Sequence, residues 1–337
     1  MDFLRRLFGS NDSPAKEQAN DAAPAAASLD TMPGTASEET GPLVSDAPVD
    51  LIKTPPPTQA FGATRQLPPL ESALARPNQH ITYGQSSDTG MVRSNNQDSV
   101  LTFFACQGNT DNVPDFGLFV VADGMGGHHD GEKASALASR VLAEYVTTHI
   151  YLPMLKRKED QTDADQPTIS EILVEAVKTA NDVVVRSIPE GGTTITATAV
   201  MGDLSYIVHV GDSRAYLITE EYGLEQITRD HSLVQRLIEL DQLTPEEAAQ
   251  HPQKNVLYRA IGQSDNLEID TTTRRLPASS YLLLCSDGLW NTVPDTEITA
   301  IILNAASPQA ACDRLVASAN EHGGADNISA VLLKIPG

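Results

Sequence analysis

FGLFVVADGMGGH, residues 116–128, places an apolar run directly before an aspartate and a glycine-rich turn. The run Phe116–Ala122 is typical of a buried β-strand. A carboxylate at the end of such a strand is costly to bury unless it is paired or binds a cation. Because glycine lets the backbone approach a ligand closely, the Asp123 carboxylate and the Gly124 carbonyl are candidates for one metal site. The alternative is a strand–turn–helix connection in which Asp123 only caps the helix.

Three further aspartates lie beside strand-like apolar runs: Asp212, Asp287 and Asp326. Each alone is typical of an ordinary turn. Four carboxylates brought to one point would repel one another and need a cation. Because no His or Cys cluster accompanies them in the sequence, the ligands would be oxygens, which favours Mg²⁺ or Mn²⁺ over Zn²⁺. The pattern predicts hydrolytic chemistry by bound metal ions.

Arg93 supplies a second element of such a site. It lies in GMVRSNNQD, residues 90–98. A guanidinium offers planar, bidentate hydrogen bonds to phosphate oxygens, so Arg93 is a candidate anchor for a phosphoryl group. The alternative is a residue in a surface salt bridge.

Seven short motifs follow one another along the chain: RSNNQD (93–98), DGMGGH (123–128), GTT (192–194), GDSRAY (211–216), DHS (230–232), SDGL (286–289) and DN (326–327). In this order and spacing, over about residues 81–335, they resemble the bacterial type 2C (metal-dependent, PPM) serine/threonine protein phosphatases. The resemblance implies an α+β fold, a sandwich of two antiparallel β-sheets with helices on both outer faces. Predicted strand pairs with short turns, and helices in adjacent pairs, fit such layers.

By that resemblance the site holds two Mn²⁺ or Mg²⁺ ions. Asp123 would bridge them, and the Gly124 carbonyl would bind one of them. Asp287 and Asp326 would complete the other. Asp98 would hold metal-bound water.

The resemblance also implies a third ion, bound by Asp212 with Asp287 as in bacterial members, and a phosphate anchor at Arg93. A metal-bridging hydroxide would attack phosphorus in line, with no phosphoenzyme. Charge that develops on the oxygens would be stabilised by Arg93 and the ions.

Two positions depart from the eukaryotic relatives. Met125 stands where they have a histidine often assigned as general acid, and Gln97 replaces an acidic residue beside Asp98. Both substitutions occur in bacterial forms, so we expect an active enzyme. His128 is then a candidate acid for the leaving alkoxide, with His129 or a metal-bound water as alternatives.

The resemblance implies an enzyme that hydrolyses phosphoserine and phosphothreonine in proteins and opposes a serine/threonine kinase in bacterial signalling. One alternative is a partner-switching phosphatase with a single regulatory phosphoprotein as substrate. Another is a catalytically inactive scaffold on the same fold, which the presence of Asp123, Asp287 and Asp326 disfavours.

Composition limits the classes of partner. Lys+Arg total 23 and Asp+Glu total 45, giving a formal net charge of −22 over 337 residues. Nucleic acid is therefore not an expected partner, because phosphate binding needs a basic surface. The 3 cysteines are isolated, which favours reduced thiols and a cytoplasmic location. No apolar stretch has the length of a transmembrane helix, and we expect a monomer.

Residues 1–78 have a different composition from the remainder, rich in Ala, Pro, Ser, Thr and acidic residues. Such a segment cannot bury enough apolar surface to offset its ordering entropy. We predict a disordered tail there and a catalytic domain over 79–337. The resemblance implies a mobile flap within that domain at about 228–254.

Periodicity and capping signals predict the main elements. The predicted strands are 116–122, 193–201, 206–210, 214–219, 281–285 and 329–335. The predicted helices are 131–150, 168–187 from a capping box, 232–240, 244–250 from a second capping box, 295–304 and 308–321. Residues 152–168 are predicted as a surface loop, and Gly211-Asp212 as a tight hairpin turn.

Overall fold

The structure is a computed structural model that describes residues 80–106, 114–126, 130–156, 166–264 and 266–337. The predicted tail at 1–78 lies outside the described residues. In the described part, two antiparallel β-sheets pack face to face between helical layers. The predicted α+β sandwich is confirmed.

The first sheet contains five strands, each antiparallel to its neighbours. Their spatial order is β1 (Thr82–Asp88), β11 (Ile328–Lys334), β10 (Tyr281–Cys285), β7 (Arg214–Thr219) and β8 (Gly223–Gln226).

The second sheet is also antiparallel. Its strands lie in the order β2 (Asp98–Ala105), β3 (Phe116–Met125), β5 (Ile195–Met201), β6 (Leu204–Val210) and β9 (Asp270–Arg275). A two-residue strand, β4 (Gly192–Thr193), pairs with the end of β3.

Helices cover the outer faces. The second sheet carries α1 (Asp130–Val146), a π-helical turn (Thr147–Tyr151), α2 (Leu152–Lys156) and α3 (Ile169–Ser187). The first sheet carries α6 (Asp287–Trp290), α7 (Asp295–Asn304) and α8 (Pro308–Glu321). Two short helices, α4 (Leu233–Glu239) and α5 (Pro245–Ala249), lie in the long connection from β8 to β9.

β3 shows why the central strands are apolar along their whole length. Leu118 and Val120 belong to the core between the second sheet and its helices. Phe119 and Val121 belong to the core between the two sheets. Because both faces of the strand are buried, alternation with polar residues is lost.

The capping signals are confirmed. The Thr168 hydroxyl accepts a hydrogen bond from the Glu171 N–H, and the Glu171 carboxylate accepts one from the Thr168 N–H, so α3 begins where the capping box predicts. Thr244 and Glu247 form the same arrangement at α5. Cys285 is fully buried, as expected for a small apolar side chain.

Two local predictions are wrong. Gly211-Asp212 is not a hairpin turn, because β6 pairs within the second sheet whereas β7 pairs within the first. The segment carries the chain from the second sheet to the first. The predicted loop at 152–168 begins instead with a helical segment, Leu152–Lys156, which continues the axis of the preceding turns.

Among the described residues, no helix is both long and apolar enough to cross a membrane.

Candidate metal centre

Two adjacent strands place a pair of carboxylates side by side. Asp98 is the first residue of β2, Asp123 lies near the end of β3, and the antiparallel register sets them directly opposite each other. Cβ atoms of such partners are about 4.5–5.5 Å apart. Like charges at that separation destabilise a sheet unless a proton or a cation lies between them.

Loops at the same end of the sandwich bring three more aspartates. Asp287 begins α6 directly after β10. Asp326 lies just before β11, and Asp212 lies in the crossing between the sheets. The Asp123 and Asp287 carboxyl groups lie within hydrogen-bond reach of each other. All five carboxyl groups therefore share one electrostatic environment.

Burial and mutual repulsion oppose ionisation of these groups. Burial raises the pKa of Asp98 to about 7, and the charges of Asp287 and Asp326 add to the effect. Burial, with the charge of Asp326, raises the pKa of Asp287 to about 6. The pKa values of Asp123 and Asp212 are raised well above the ordinary range, again first by burial. A bound cation reverses this effect by favouring the charged forms.

The donor set fits hard divalent cations. Among the described residues, Asp98 Oδ1 and Asp287 Oδ1 are buried and have no hydrogen-bond partner. Buried carboxylate oxygens are otherwise almost always paired. Carboxylates and a backbone carbonyl are the ligands that Mg²⁺ and Mn²⁺ prefer, so the cluster suits the predicted ions.

Ser286 joins the two sheets at this point. Its hydroxyl donates to Asp98 Oδ2 at 2.7 Å, and it also accepts a hydrogen bond from the Ser329 N–H at 3.0 Å. The Asp98 carboxylate on one sheet is thus oriented by the end of β10 on the other. Its second oxygen, Oδ1, is buried and has no hydrogen-bond partner.

Gly124 lies in a gap too narrow for a side chain. A Cβ atom there would be 2.3 Å from the Gly131 carbonyl oxygen and 2.5 Å from that of Gln97. The Gly124 N–H donates to the same Gln97 carbonyl at 3.1 Å. Only glycine allows the start of α1, the end of β3 and the segment before β2 to meet this closely.

Asn327 fixes the loop that carries Arg93. Its side-chain NH₂ donates to the carbonyls of Thr89 and Asn95, each at 2.9 Å, and its oxygen accepts from the Gln97 N–H at 2.8 Å. This amide is 5% exposed. One side chain therefore satisfies three backbone groups of a loop that has no regular secondary structure.

Arg93 itself contacts the carboxylate cluster. Its Nη2 donates to Asp326 Oδ2 at 2.7 Å. This hydrogen bond raises the pKa of the guanidinium, which keeps its charge. The Arg93 side chain is 51% exposed, so it lies between the cluster and solvent.

A second arginine anchors the segment at 228–254 predicted as a flap. Arg214 makes a two-pronged ion pair with Asp230, with Nη2 to Oδ2 at 2.7 Å and Nε to Oδ1 at 2.9 Å. Its guanidinium carbon lies 3.4 Å from the centre of the Trp290 ring. The Trp290 N–H donates to the Asp212 carbonyl at 3.0 Å. The segment is thereby attached to the backbone of a candidate ligand.

Buried hydroxyl groups of Thr193 and Thr194 form hydrogen bonds with the backbone of Asp123. The Asp123 N–H donates to Thr194 Oγ1 at 2.8 Å, and that hydroxyl lies 2.8 Å from Ser213 Oγ. Thr193 Oγ1 donates to the Asp123 carbonyl at 2.9 Å. The backbone of Asp123 is therefore held on both sides by the GTT motif.

His209 links these buried hydroxyl groups to the segment at 228–254. Burial lowers its pKa to about 3, so the ring is neutral. Its Nε2 lies 3.0 Å from the Arg229 carbonyl and donates to it. Its Nδ1 lies 2.9 Å from the Thr196 hydroxyl, which donates to the Ser213 carbonyl at 2.8 Å.

The structure brings six of the predicted site side chains to one place: Arg93, Asp98, Asp123, Asp212, Asp287 and Asp326. Gly124 lies beside them. His128 and the alternative His129 lie outside the described residues. Met125 has its sulfur 3.3 Å from Gln263 Nε2.

Sequence reasoning did not assign roles to several supporting residues. Asn327, Thr194 and Ser286 lie within the recognised motifs, which was a signal that they matter. Their contacts are made over long sequence separations, for example 230 residues between Asn327 and Gln97. A single sequence does not reveal such pairs.

Comparison with known proteins places this arrangement in a family. The model of the protein phosphatase 2C family matches residues 92–332. The serine/threonine phosphatase Stp of Listeria monocytogenes is 37% identical over 248 residues, 74% of this chain and 93% of that protein. The protein phosphatase PhpP of Streptococcus pneumoniae is 36% identical over 263 residues, 74% of this chain and 95% of that protein.

A solved structure supports the same family assignment. The catalytic domain of the serine/threonine protein phosphatase PstP, in complex with two manganese ions, superposes with a TM-score of 0.60. It is 32% identical, and the match covers 76% of this chain and 99% of that one. The chain therefore belongs to the protein phosphatase 2C family. It is a metal-dependent serine/threonine phosphatase that uses Mn²⁺ or Mg²⁺.

Proposed function

We propose that the carboxylate cluster is the hydrolytic centre for phosphoserine and phosphothreonine in proteins. The metal-site residues are Asp98, Asp123, Gly124, Asp212, Asp287 and Asp326. The observation that carries the proposal is the opposed pair Asp98 and Asp123, whose raised pKa values and orphaned Asp98 oxygen require a cation or a proton. The cluster suits two ions, with Asp212 and Asp287 available for a third.

Bound ions lower the pKa of coordinated water and supply the nucleophile. The protein's own part is to hold its carboxylates in fixed positions. The Ser286 hydroxyl orients Asp98, and the Thr194 hydroxyl and Thr193 hold the Asp123 backbone. Such preorganisation is needed because small displacements of catalytic groups cost large factors in rate.

Arg93 is the proposed phosphate anchor. Its partner in the structure is Asp326, which is itself a proposed ligand. When Asp326 is engaged by a cation, its charge is shared, and the guanidinium has donors available for phosphate oxygens. Because Arg93 lies on the solvent side of the cluster, it can meet a phosphorylated side chain as it arrives.

The leaving alkoxide needs a proton, and His128 is the proposed donor. It directly follows the glycine-rich turn after β3. Replacement of His128 by Gln should slow a phosphothreonine peptide more than p-nitrophenyl phosphate, since p-nitrophenolate leaves without a proton. Equal effects on both substrates would argue against the assignment.

We further propose the domain organisation, the oligomeric state and the cellular location of the enzyme. Residues 79–337 form the catalytic domain, with residues 1–78 as a tail and 228–254 as a flap beside the site. The protein acts as a monomer in the cytoplasm and opposes a serine/threonine kinase. The free thiols of Cys106, Cys285 and Cys312 support the reducing compartment.

The test is hydrolysis of a phosphothreonine peptide in EDTA, Mg²⁺, Mn²⁺ and Zn²⁺ by wild type, Asp123→Asn and the matched control Asp182→Asn. Asp182 is exposed on α3. We expect activity with Mn²⁺ or Mg²⁺ in the wild type and the control, and at least a roughly hundredfold loss in Asp123→Asn. Near-normal turnover by Asp123→Asn would refute the site.

A further inference from the structure

The end of the sandwich opposite the carboxylate cluster carries a second group of potential metal ligands. Cys106 directly follows β2, and Asp115 directly precedes β3. The last paired residues of these strands are Ala105 and Phe116, so the register brings Cys106 and Asp115 together. β2 has 8 residues, and at about 3.3 Å per residue this end lies roughly 25 Å from Asp98.

A histidine from the other sheet completes the group. His80 lies just before β1, and its Nδ1 is 2.9 Å from Asp115 Oδ1. The adjacent Ile81 N–H donates to Asp115 Oδ2 at 3.2 Å. One ligand atom from each of His80, Cys106 and Asp115 lies within 4.8 Å of the other two. The three side chains thus come from three strand ends and from both sheets.

We propose that His80, Cys106 and Asp115 bind one Zn²⁺ ion at a site separate from the catalytic centre. A thiolate, an imidazole and a carboxylate are all ligands that Zn²⁺ takes in proteins. Mn²⁺ and Mg²⁺ prefer the all-oxygen set at the other end. The two ends of the sandwich therefore select different metals.

The three side chains can bind a Zn²⁺ ion without a change of fold. Tetrahedral Zn²⁺ has bonds of about 2.0–2.3 Å, which places its ligand atoms about 3.3–3.7 Å apart. The observed atoms already lie within 4.8 Å of one another, and Cys106 is exposed, so small side-chain rotations suffice. On binding, the Cys106 thiol releases its proton to solvent and the sulfur forms a bond to zinc. The thiolate and the carboxylate then balance the charge of the ion.

The expected role is a clamp at the start of the domain. His80 precedes the edge strand β1 of the first sheet, and the other two ligands flank β2 and β3 of the second. An ion held by all three joins the two sheets at the end of the sandwich where β1 begins. Three protein ligands leave a fourth position for water, so the ion is exchangeable.

Co²⁺ as the chloride is the first probe, added to the full chain. Thiolate-to-cobalt charge transfer absorbs in the near ultraviolet, and oxygen ligands do not give this band. With the carboxylate cluster first saturated by Mg²⁺, we expect a band that saturates at one equivalent of Co²⁺ and is displaced by Zn²⁺. Cys106→Ser should remove it, whereas Cys312→Ala and Asp123→Asn should retain it. His80→Gln should weaken Co²⁺ binding by about tenfold or more.

Alkylation of Cys106 by iodoacetamide is the second measurement, followed by mass spectrometry of the modified peptide. We expect Zn²⁺ to slow it by about tenfold or more in the wild type, and by less than about twofold in His80→Gln and Asp115→Asn. Cobalt binding without the band, a band that persists in Cys106→Ser, or alkylation unaffected by Zn²⁺ would overturn the proposal. These readouts do not depend on phosphatase activity.

Discussion

Asp98 and Asp123 are direct cross-strand partners, and burial raises the pKa of both carboxyl groups. A sheet gains nothing from two opposed acids at this position, because like charges across a pair are destabilising. The arrangement makes physical sense as a cation site that the metal-free protein keeps partly protonated.

Replacement of Asp98 by Asn should stabilise the metal-free protein. The pKa of Asp98 is about 7 when folded, against an ordinary value of 3.8. The folded state therefore binds the extra proton, and stability falls as pH rises from about 4 to about 7. In EDTA at pH 8 we expect Asp98→Asn to unfold with a free energy about 1–3 kcal/mol higher than wild type.

Urea unfolding at several pH values measures this difference. The gain should shrink as pH falls from about 7 toward 4, because the folded wild-type carboxyl takes up its proton over this range. Burial lowers the pKa of His209 to about 3, which acts in the opposite direction but is present in both proteins and cancels. Asp182→Asn should change stability by less than about 0.5 kcal/mol. A loss of stability in Asp98→Asn at pH 8 would contradict the repulsive pair.

Arg93→Lys should lower kcat/KM for a phosphothreonine peptide by about 10–100-fold. Lysine keeps the charge but loses the planar, two-pronged donor geometry. Steady-state kinetics with saturating Mn²⁺ tests this. Arg140→Lys is the matched control, since Arg140 is exposed on α1. If Arg93→Lys remains within about twofold of wild type, Arg93 does not anchor the phosphate.

Asn327→Asp should destabilise the protein by about 2–4 kcal/mol and weaken Mn²⁺ binding. The new oxygen would face the carbonyls of Thr89 and Asn95, to which the amide now donates. Thermal unfolding and Mn²⁺ titration report the two effects. Asn304→Asp, at an exposed helix end, should cost less than about 1 kcal/mol. An Asn327 variant as stable as that control would show that the loop does not depend on the amide.

Trp290 should report metal binding near Asp212. It is the 1 tryptophan of the chain, and its N–H donates to the Asp212 carbonyl. Mn²⁺ is paramagnetic and quenches nearby fluorophores, so a fluorescence titration should show a saturable decrease. Asp212→Asn should shift its midpoint to higher Mn²⁺ concentration by about tenfold. A midpoint unchanged in that variant would remove Asp212 from the ligand set.

The strands that sequence reasoning identified and those it missed differ in position. The apolar runs in β3, β10 and β11 were predicted because both faces of these strands are buried. The four missed strands are β1, β2, β8 and β9, and each is the edge strand of its sheet. Edge strands carry polar residues that limit further pairing, for example the Thr and Arg side chains of β9. The sequences of β1, β8 and β9 therefore lack the apolar signal. β2, with the sequence DSVLTFFA, carries an apolar run that sequence reasoning did not assign.

The candidate site also contains features that the sequence predicted and features that it did not. The Asp-Gly motifs were visible in the sequence because carboxylates beside apolar runs are unusual. Arg93 was visible because it begins one of the recognised motifs and carries a guanidinium suited to phosphate. The route of the chain through Gly211-Asp212 was not, because a tight turn has the same local sequence whether it closes a hairpin or crosses between sheets. The crossing is what delivers Asp212 to the other carboxylates. Long-range contacts, such as those between Asn327 and the loop that carries Arg93, were not predicted, because local sequence does not show which distant residues meet.

The number of Mn²⁺ ions bound per chain is the most direct test of the carboxylate cluster as a metal centre. Equilibrium dialysis of wild type, Asp123→Asn and Asp182→Asn at pH 7.5 would give it, read by electron paramagnetic resonance of the free ion. We predict at least two ions in the wild type and in Asp182→Asn, and loss of tight binding in Asp123→Asn. Equal numbers and affinities in all three proteins would contradict the assignment of the carboxylate cluster as the metal centre.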